Sequence, residues 1–325
     1  FTYRLLNNLI TGFRKMKEGF IKISGGPTHV ITWGRWIEEP LDDVPEIVIC
    51  IPGNPGLVGF YTEFLHLLYE QLGEKIPVWI IGHLGHEEPS KDCKTEVPCL
   101  RGNEKIFDLN GQLYHKKEFI QRFVPRNTKI HLIGHSIGAW MVMHLLEFQD
   151  IRQLVKKCYL LFPTIERMID SSNGWNFTKI GIPLYTVLGF VIPLFNRLPK
   201  YLQICGVQIY FWLLNIPKSF IETALEYSKA PVMEKVIFLA KDEMVRVRDL
   251  DQGLMERHLS LLKMYYGTTD GWVPVEYYNE ICRKYPKIDA ELDKESIDHA
   301  FVLRNSEAMS RIVGKMIKEH SEILK

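Results

Sequence analysis

Ser136 stands in Gly134-His135-Ser136-Ile137-Gly138, directly after the apolar run Ile130-His131-Leu132-Ile133. It directly precedes Ile137 to Phe148, where Met141, Leu145 and Phe148 recur at helical spacing. A serine on a strained strand-to-helix turn presents its hydroxyl as a nucleophile, and the flanking glycines let neighbouring backbone come close. The N-terminal end of the following helix directs a positive field at a developing oxyanion. The five-residue pattern alone arises by chance, and a serine near a helix start is often only an N-cap. Context favours the nucleophile: the strand, the helix, and two partners downstream in the order serine, aspartate, histidine.

A serine hydroxyl needs a base to become nucleophilic, and the base needs an acid to fix its tautomer. Asp270 lies in Gly267-Thr268-Thr269-Asp270-Gly271-Trp272, immediately after the apolar run Leu261 to Tyr265. His299 lies in Asp298-His299-Ala300-Phe301, between an expected strand at Ile288 to Leu292 and a C-terminal helix. Asp242 is the rival acid, because it also follows an apolar run; Val236 to Ala240 reads as a strand or as part of a helix over Ala230 to Arg246. The glycine-rich turn favours Asp270. The plainer alternative for the last motif is that Asp298 caps the terminal helix and His299 is a surface residue.

Pro52-Gly53-Asn54-Pro55-Gly56 follows another apolar strand and supplies a candidate oxyanion loop, although glycine and proline also make ordinary turns. The backbone donors are assigned to Asn54 and Ile137, with Gly53 making room for the turn. Pro55 has no N–H, so the loop's choice of donor lies between Gly53 and Asn54. His135, beside the nucleophile, reads as a packing or positioning residue rather than the base. His83 and His86, in Gly82-His83-Leu84-Gly85-His86, line the substrate entrance or serve a structural role; without a further convergent ligand they do not predict a metal.

These residues need a scaffold. Ile47-Val48-Ile49-Cys50-Ile51, bounded by Pro45 and Pro52, has the β-branched, wholly apolar character of a strand buried on both faces. Further strands are expected at Val30 to Trp33, Val78 to Ile81, Lys129 to Ile133, Cys158 to Phe162 and Leu261 to Tyr265. Helices are expected at Phe60 to Leu72, Leu113 to Val124 and Ile137 to Phe148. The alternation predicts a mostly parallel sheet covered on both sides.

Lysine plus arginine (40) almost equals aspartate plus glutamate (39), which gives no support for nucleic-acid binding. The six cysteines form no CxxC pair. Cys93 and Cys99 flank a loop where a local disulfide is conceivable, but a reduced cytoplasmic chain accounts for the set with fewer assumptions. Phe1 to Ile10 is too short and too polar for a signal sequence or a span.

From Ile180 to Pro217 the only formally charged residues are Arg197 and Lys200. Two apolar pieces, Ile180 to Phe195 and Tyr201 to Ile216, flank that basic turn. Each is shorter than the roughly 20 residues that cross a bilayer. The pattern predicts a re-entrant or interfacial hairpin, with Phe190, Phe195, Phe211 and Trp212 facing lipid; the alternative is an apolar cap buried against the body. The expected division is a core over 20–168, a helical cap and lipid-associating insertion over 169–257, and the rest of the core over 258–325.

The motifs together resemble the lipid-droplet-associated hydrolase family of the α/β-hydrolases. The resemblance rests on Ile51-Pro52-Gly53-Asn54-Pro55-Gly56 with Phe60-Tyr61, on Gly82-His83 with Gly85-His86, and on Asn110-Gly111-Gln112. It continues through Gly134 to Gly138, Leu161 to Met168, Tyr265 to Asp270 and His299-Ala300-Phe301. It implies an α/β-hydrolase fold with a mostly parallel central sheet and an inserted apolar helical cap, in which Ser136, Asp270 and His299 carry catalysis. It also implies lipid ester substrates, sterol esters among them, and association with lipid droplets and the endoplasmic reticulum on the cytoplasmic face. No organic cofactor is expected, and protein partners are not specified. Two other readings stay open: a lipid-surface scaffold with a hydrolase fold and little turnover, and a thioesterase or amidase.

Overall fold

The computed structural model describes residues 3–4, 16–89 and 95–324. Nine strands form one sheet: β1 (Tyr3–Arg4), β2 (Met16–Ile23), β3 (Gly26–Trp33), β4 (Glu46–Ile51), β5 (Val78–Ile81), β6 (Lys129–His135), β7 (Val155–Leu161), β8 (Leu262–Tyr266) and β9 (Asp289–Leu292). Their spatial order is β1-β2-β3-β5-β4-β6-β7-β8-β9. Pairing is antiparallel from β1 through β3 to β5 and parallel from β5 to β9.

Apolar after Glu46, β4 is buried because helices cover both sides of the sheet. Its side chains alternate: Ile47, Ile49 and Ile51 join Ile130 and Leu132 under helices Leu109–Phe123 and Ile137–Leu145. Val48 and Cys50 join Ile133 under helices Thr62–Gln71 and Ser306–His320. Parallel strands bring their carboxyl ends to one edge, so the loops after β4, β6 and β8 converge there. Those loops carry Asn54, Ser136 and Asp270.

Helix Leu109–Phe123 starts four residues before the sequence pattern suggests, because the Asp108 carboxylate caps it by accepting from Gly111 N–H at 2.7 Å. Ala230–Arg246 is helical, so Val236 to Ala240 is not a strand. Of the cysteines, Cys50 and Cys158 are buried in the sheet. Cys93 lies outside the described residues, and its pairing with Cys99 with it; so does the run Phe1 to Ile10 apart from Tyr3 and Arg4.

Between β7 and β8 the chain is helical. Ile182–Arg197 and Lys200–Leu214 are separated by a turn at Leu198 and Pro199. No helix among the described residues is long and apolar enough to cross a membrane. Leu184, Val187, Val191 and Leu194, at alternating spacings of three and four, form an exposed stripe on the first helix. Tyr201, Leu202, Ile209, Tyr210, Trp212 and Leu213 are exposed on the second, Trp212 to 78%. These side chains are not packed away as a buried cap would require. Phe211 is a correction: it is 4% exposed and packs inward, because one side of its helix must seat the hairpin on the body. Phe195 is half-buried, and the side chain of Phe190 is not among those described.

One contact ties the sheet to the turn at Ser136. A Cβ on Gly138 would meet the carbonyl oxygens of Ile51 and Pro52 at 2.3 and 2.7 Å. The helix after Ser136 therefore crosses the end of β4 with no space for a methyl group. Gly138→Ala should lower unfolding stability by about 1–3 kcal/mol, the usual cost of overpacking, in a denaturant titration; unchanged stability would show that this crossing yields.

Candidate active site

Ser136 holds φ 53° and ψ −122°, a conformation that side chains other than glycine's adopt only under strain. Its surroundings leave it no choice. Its N–H donates to Leu161 O at 3.0 Å, and its carbonyl accepts from Ala139 N–H at 2.9 Å. The turn lifts Oγ off the end of β6, where its hydroxyl meets His299 Nε2 at 2.9 Å. His299 Nδ1–H donates to Asp270 Oδ2 at 2.6 Å, and Asp270 Oδ1 accepts from the N–H groups of Trp272 (2.7 Å) and Val273 (3.2 Å). The Asp270 carboxylate is fully shielded from water, so both its oxygens are fixed by the turn and the imidazole.

Asp242, the rival acid, lies on helix Ala230–Arg246, where it accepts from Leu109 N–H at 2.9 Å and pairs with Arg246 at 2.8 Å. It does not join the imidazole. Asp298 pairs with Arg304 and does not cap the terminal helix, which begins at Ser306.

Gly53 is pressed against the nucleophile: a Cβ there would come within 2.8 Å of Ser136 Cβ. Its N–H donates to Tyr61 Oη at 2.8 Å and is thereby occupied. Asn54 N–H is the loop's other candidate donor, and Ile137 N–H stands at the first position of its helix, where no intrahelical carbonyl can accept it. Tyr61 in turn donates to His135 Nδ1 at 2.6 Å, and His135 Nε2–H donates to the carbonyl of His299 at 2.9 Å. His135 thus positions the backbone of His299. Burial, reinforced by the neighbouring His299, pushes its imidazole down to about 3, so it stays neutral and keeps this donor pattern at physiological pH.

His83 and His86 do not line the cavity at Ser136. Both are buried behind the loop that carries Asn54, where His86 Nδ1–H donates to Pro55 O at 2.5 Å and His83 N–H donates to Gly56 O at 3.1 Å. Burial drives both imidazoles toward the neutral form. Their own loop is held from helix Leu109–Phe123. The Gln112 amide accepts from Leu84 N–H at 2.9 Å and donates to Leu84 O at 3.0 Å, and the buried Lys116 amine donates to Gly82 O at 2.9 Å. Among the described residues no three metal-ligating side chains gather around this pair.

Sequence reasoning missed two residues at the site. Tyr61, in Phe60-Tyr61, carries no sequence signal of its contact with Gly53 and His135. Glu243 continues the buried positions Val232, Val236 and Leu239 of its helix, and that spacing is the signal that placed an acid on an apolar face. Glu243 lines the cavity in front of Ser136, together with Met168, Phe177, Met244, Trp272 and Leu303; the cavity measures about 410 Å³. Its Oε1 accepts from Asn54 Nδ2 at 2.9 Å, and the same amide donates to Val236 O at 3.1 Å. Burial pushes the Glu243 carboxyl up to about 8, with Asp242 acting in the same direction.

Two expectations follow from this geometry. Asp270→Asn should keep the fold and lose up to about ten-thousand-fold in kcat, as removal of the acid does in a well-characterised triad, whereas Asp242→Asn should lose far less; the reverse ranking in ester hydrolysis would exchange their assignments. Because folding raises the proton affinity of Glu243, its neutral form supports the folded state fully below about 4.5, and that support is lost as pH rises through about 8. Above that pH, a carboxylate beside Asn54 would oppose the negative charge forming on the substrate oxygen. The pH profile of kcat/KM should therefore decline above about pH 8 in the native chain and stay level in Glu243→Gln; matching alkaline limbs would remove Glu243 from this role.

The family model for lipid-droplet-associated hydrolases matches residues 44–302. The lipid droplet-associated hydrolase of Drosophila melanogaster is 55% identical over 95% of this chain and all of that protein. The one from Homo sapiens is 34% identical over 93% of this chain and 95% of that protein. In fold, the chain is similar to a serine hydrolase from Cycloclasticus zankles, with a TM-score of 0.62 at 13% identity, covering 94% of this chain and 99% of that one. With the α/β-hydrolase sheet in place and identity above half over the whole of a relative, this chain belongs to the lipid-droplet-associated hydrolase family and is a serine hydrolase.

Proposed function

We propose that this chain hydrolyses lipid esters at lipid droplet surfaces, with Ser136 as nucleophile, His299 as general base and Asp270 as the acid that orients it. The observation that carries this reading is the unbroken hydrogen-bond chain from Asp270 through His299 to Ser136 Oγ, opening into a largely apolar cavity. His299 Nε2 takes the Ser136 proton as Oγ bonds to the ester carbon, and the carbonyl π electrons move onto oxygen. Asn54 and Ile137 N–H groups stabilise that oxyanion. On collapse, the ester C–O bond breaks and His299 returns the proton to the departing alcohol. Water, deprotonated by the same imidazole, then releases the carboxylic acid from the acyl-serine.

Lipid alcohol esters, sterol esters included, are the proposed substrates, at the cytoplasmic face of droplets and the endoplasmic reticulum. The proposed organisation is a hydrolase core over 20–168 and 258–325 interrupted by a lipid-associating insertion over 169–257. Active-site-directed organophosphonate labelling tests the chemistry: the native chain should label and Ser136→Ala should not, and absence of label on folded native protein would favour a scaffold with little turnover.

The exposed hairpin stripe supports docking on a lipid monolayer. Burying a large apolar side chain is worth about 1.5–3 kcal/mol, so several together outweigh their ordering cost. Replacing Leu184, Val187, Trp212 and Leu213 with serine should release the folded protein from droplets in a flotation assay, while Ser136→Ala floats as the native chain does. Undiminished flotation of the fourfold variant, with normal circular dichroism, would locate the anchor elsewhere.

A further inference from the structure

A second apolar groove, about 520 Å³, lies between the hairpin and the body. Phe195, Gly206, Val207 and Phe211 of the hairpin form one side, and Ile216 and Ala224 lie at its base. Phe60, Tyr227 and Leu303 line both this groove and the cavity in front of Ser136, so the two spaces share one wall. Tyr227 is on helix Ile221–Tyr227, and Leu303 follows His299 by four residues. Apart from Ser228 and the hydroxyls of Tyr210 and Tyr227 the groove is lined by apolar groups, and it meets the cavity at Ser136 across three shared side chains.

We propose that this groove seats a hydrocarbon arm of the ester whose carbonyl lies at Ser136, so that the enzyme's substrates are esters with an arm too long for the catalytic cavity alone. The inference rests on the reading of Ser136 given above. Two features fix the occupant as substrate hydrocarbon. The groove borders the site where the ester must lie and shares Phe60, Tyr227 and Leu303 with it, which a separate docking surface would not. Its lining offers a headgroup almost no polar partner, and the catalytic cavity, with Glu243 and the oxyanion donors, holds the polar end. The hairpin that makes one side of the groove also carries the exposed stripe, so an arm in the groove lies directly beneath the surface that faces lipid.

Gly206 provides the test. A Cβ there would meet Phe195 Cε2 at 3.5 Å, an ordinary contact, so a larger side chain fills the groove without straining backbone. Within a helix, replacing glycine also improves local stability. Two series of dissolved monomeric esters would be measured, one with the acyl chain varied from four to ten carbons and one with the alcohol varied over the same range. Each buried methylene is worth up to about fourfold in kcat/KM, so the native chain should prefer long arms in at least one series. Gly206→Phe should reduce the long-to-short ratio in that series about tenfold or more, and Gly206→Phe with Phe195→Ala should restore part of it by reopening the space.

An unchanged ratio in both series, with short esters hydrolysed in a Ser136-dependent manner, overturns the groove and leaves the catalytic reading intact. Should no ester be turned over, binding of a dissolved decyl ketone, followed by calorimetry, reads the groove directly. Weaker binding to Gly206→Phe than to the native chain supports it, and equal binding overturns it. Loss of all Ser136-dependent hydrolysis would instead count against the function proposed above.

Discussion

A serine held at φ 53° and ψ −122° is the constraint to which much of the molecule answers. Such a backbone costs about 1–3 kcal/mol and persists only where its surroundings over-determine it. Strand β6 delivers the chain into the turn, β7 accepts its N–H, and helix Ile137–Leu145 takes its carbonyl. Gly138 lets that helix cross the end of β4 at backbone contact. The same crossing brings the loop after β4 against Ser136, so the strained turn and the approach of the Gly53-Asn54 backbone arise from one packing event. A sheet with both faces buried is what makes the turn rigid enough to keep the hydroxyl aimed at His299.

The loop that carries Asn54 is braced from two sides. From behind, helix Leu109–Phe123 reaches through Gln112 and Lys116 to the loop of His83 and His86, and that loop grips Pro55 and Gly56. From the front, helix Ala230–Arg246 holds the Asn54 amide through Glu243 and Val236 O. The second brace belongs to the inserted region, whose hairpin is joined to that helix through Asn196, which accepts from Ala230 N–H. The insertion therefore does more than cover the site. It supplies one of the fixed points from which the donor geometry is measured.

The sheet and its helices were legible because period and β-branching reflect burial directly, and because Ser136, Asp270 and His299 each follow a strand. The hairpin was legible as two apolar pieces around Arg197 and Lys200. Its orientation was not: Phe211 and Trp212 are adjacent in sequence and face opposite environments, which composition cannot distinguish. The choice between Asp270 and Asp242 turned on whether Val236 to Ala240 was strand or helix, and local propensity leaves that open until tertiary packing decides. Tyr61 and Glu243 were hidden for a similar reason. A tyrosine in a helix or an acid among apolar neighbours gains its meaning from partners such as Gly53 and Asn54, remote in sequence and fixed only by the fold.

Docking through the exposed stripe of the hairpin, as proposed above, would also change which concentration matters. An enzyme free in water meets its substrate in three dimensions, and its rate follows moles per litre. An enzyme held at an interface by such a stripe would search in two dimensions, and its rate would follow the mole fraction of ester in the monolayer. Adding more lipid of the same composition then recruits more enzyme without raising the turnover of each molecule, whereas diluting the ester with inert lipid slows every molecule already bound. Docked through such a stripe, the enzyme would show the kinetics of surface composition although the stripe touches no reacting atom.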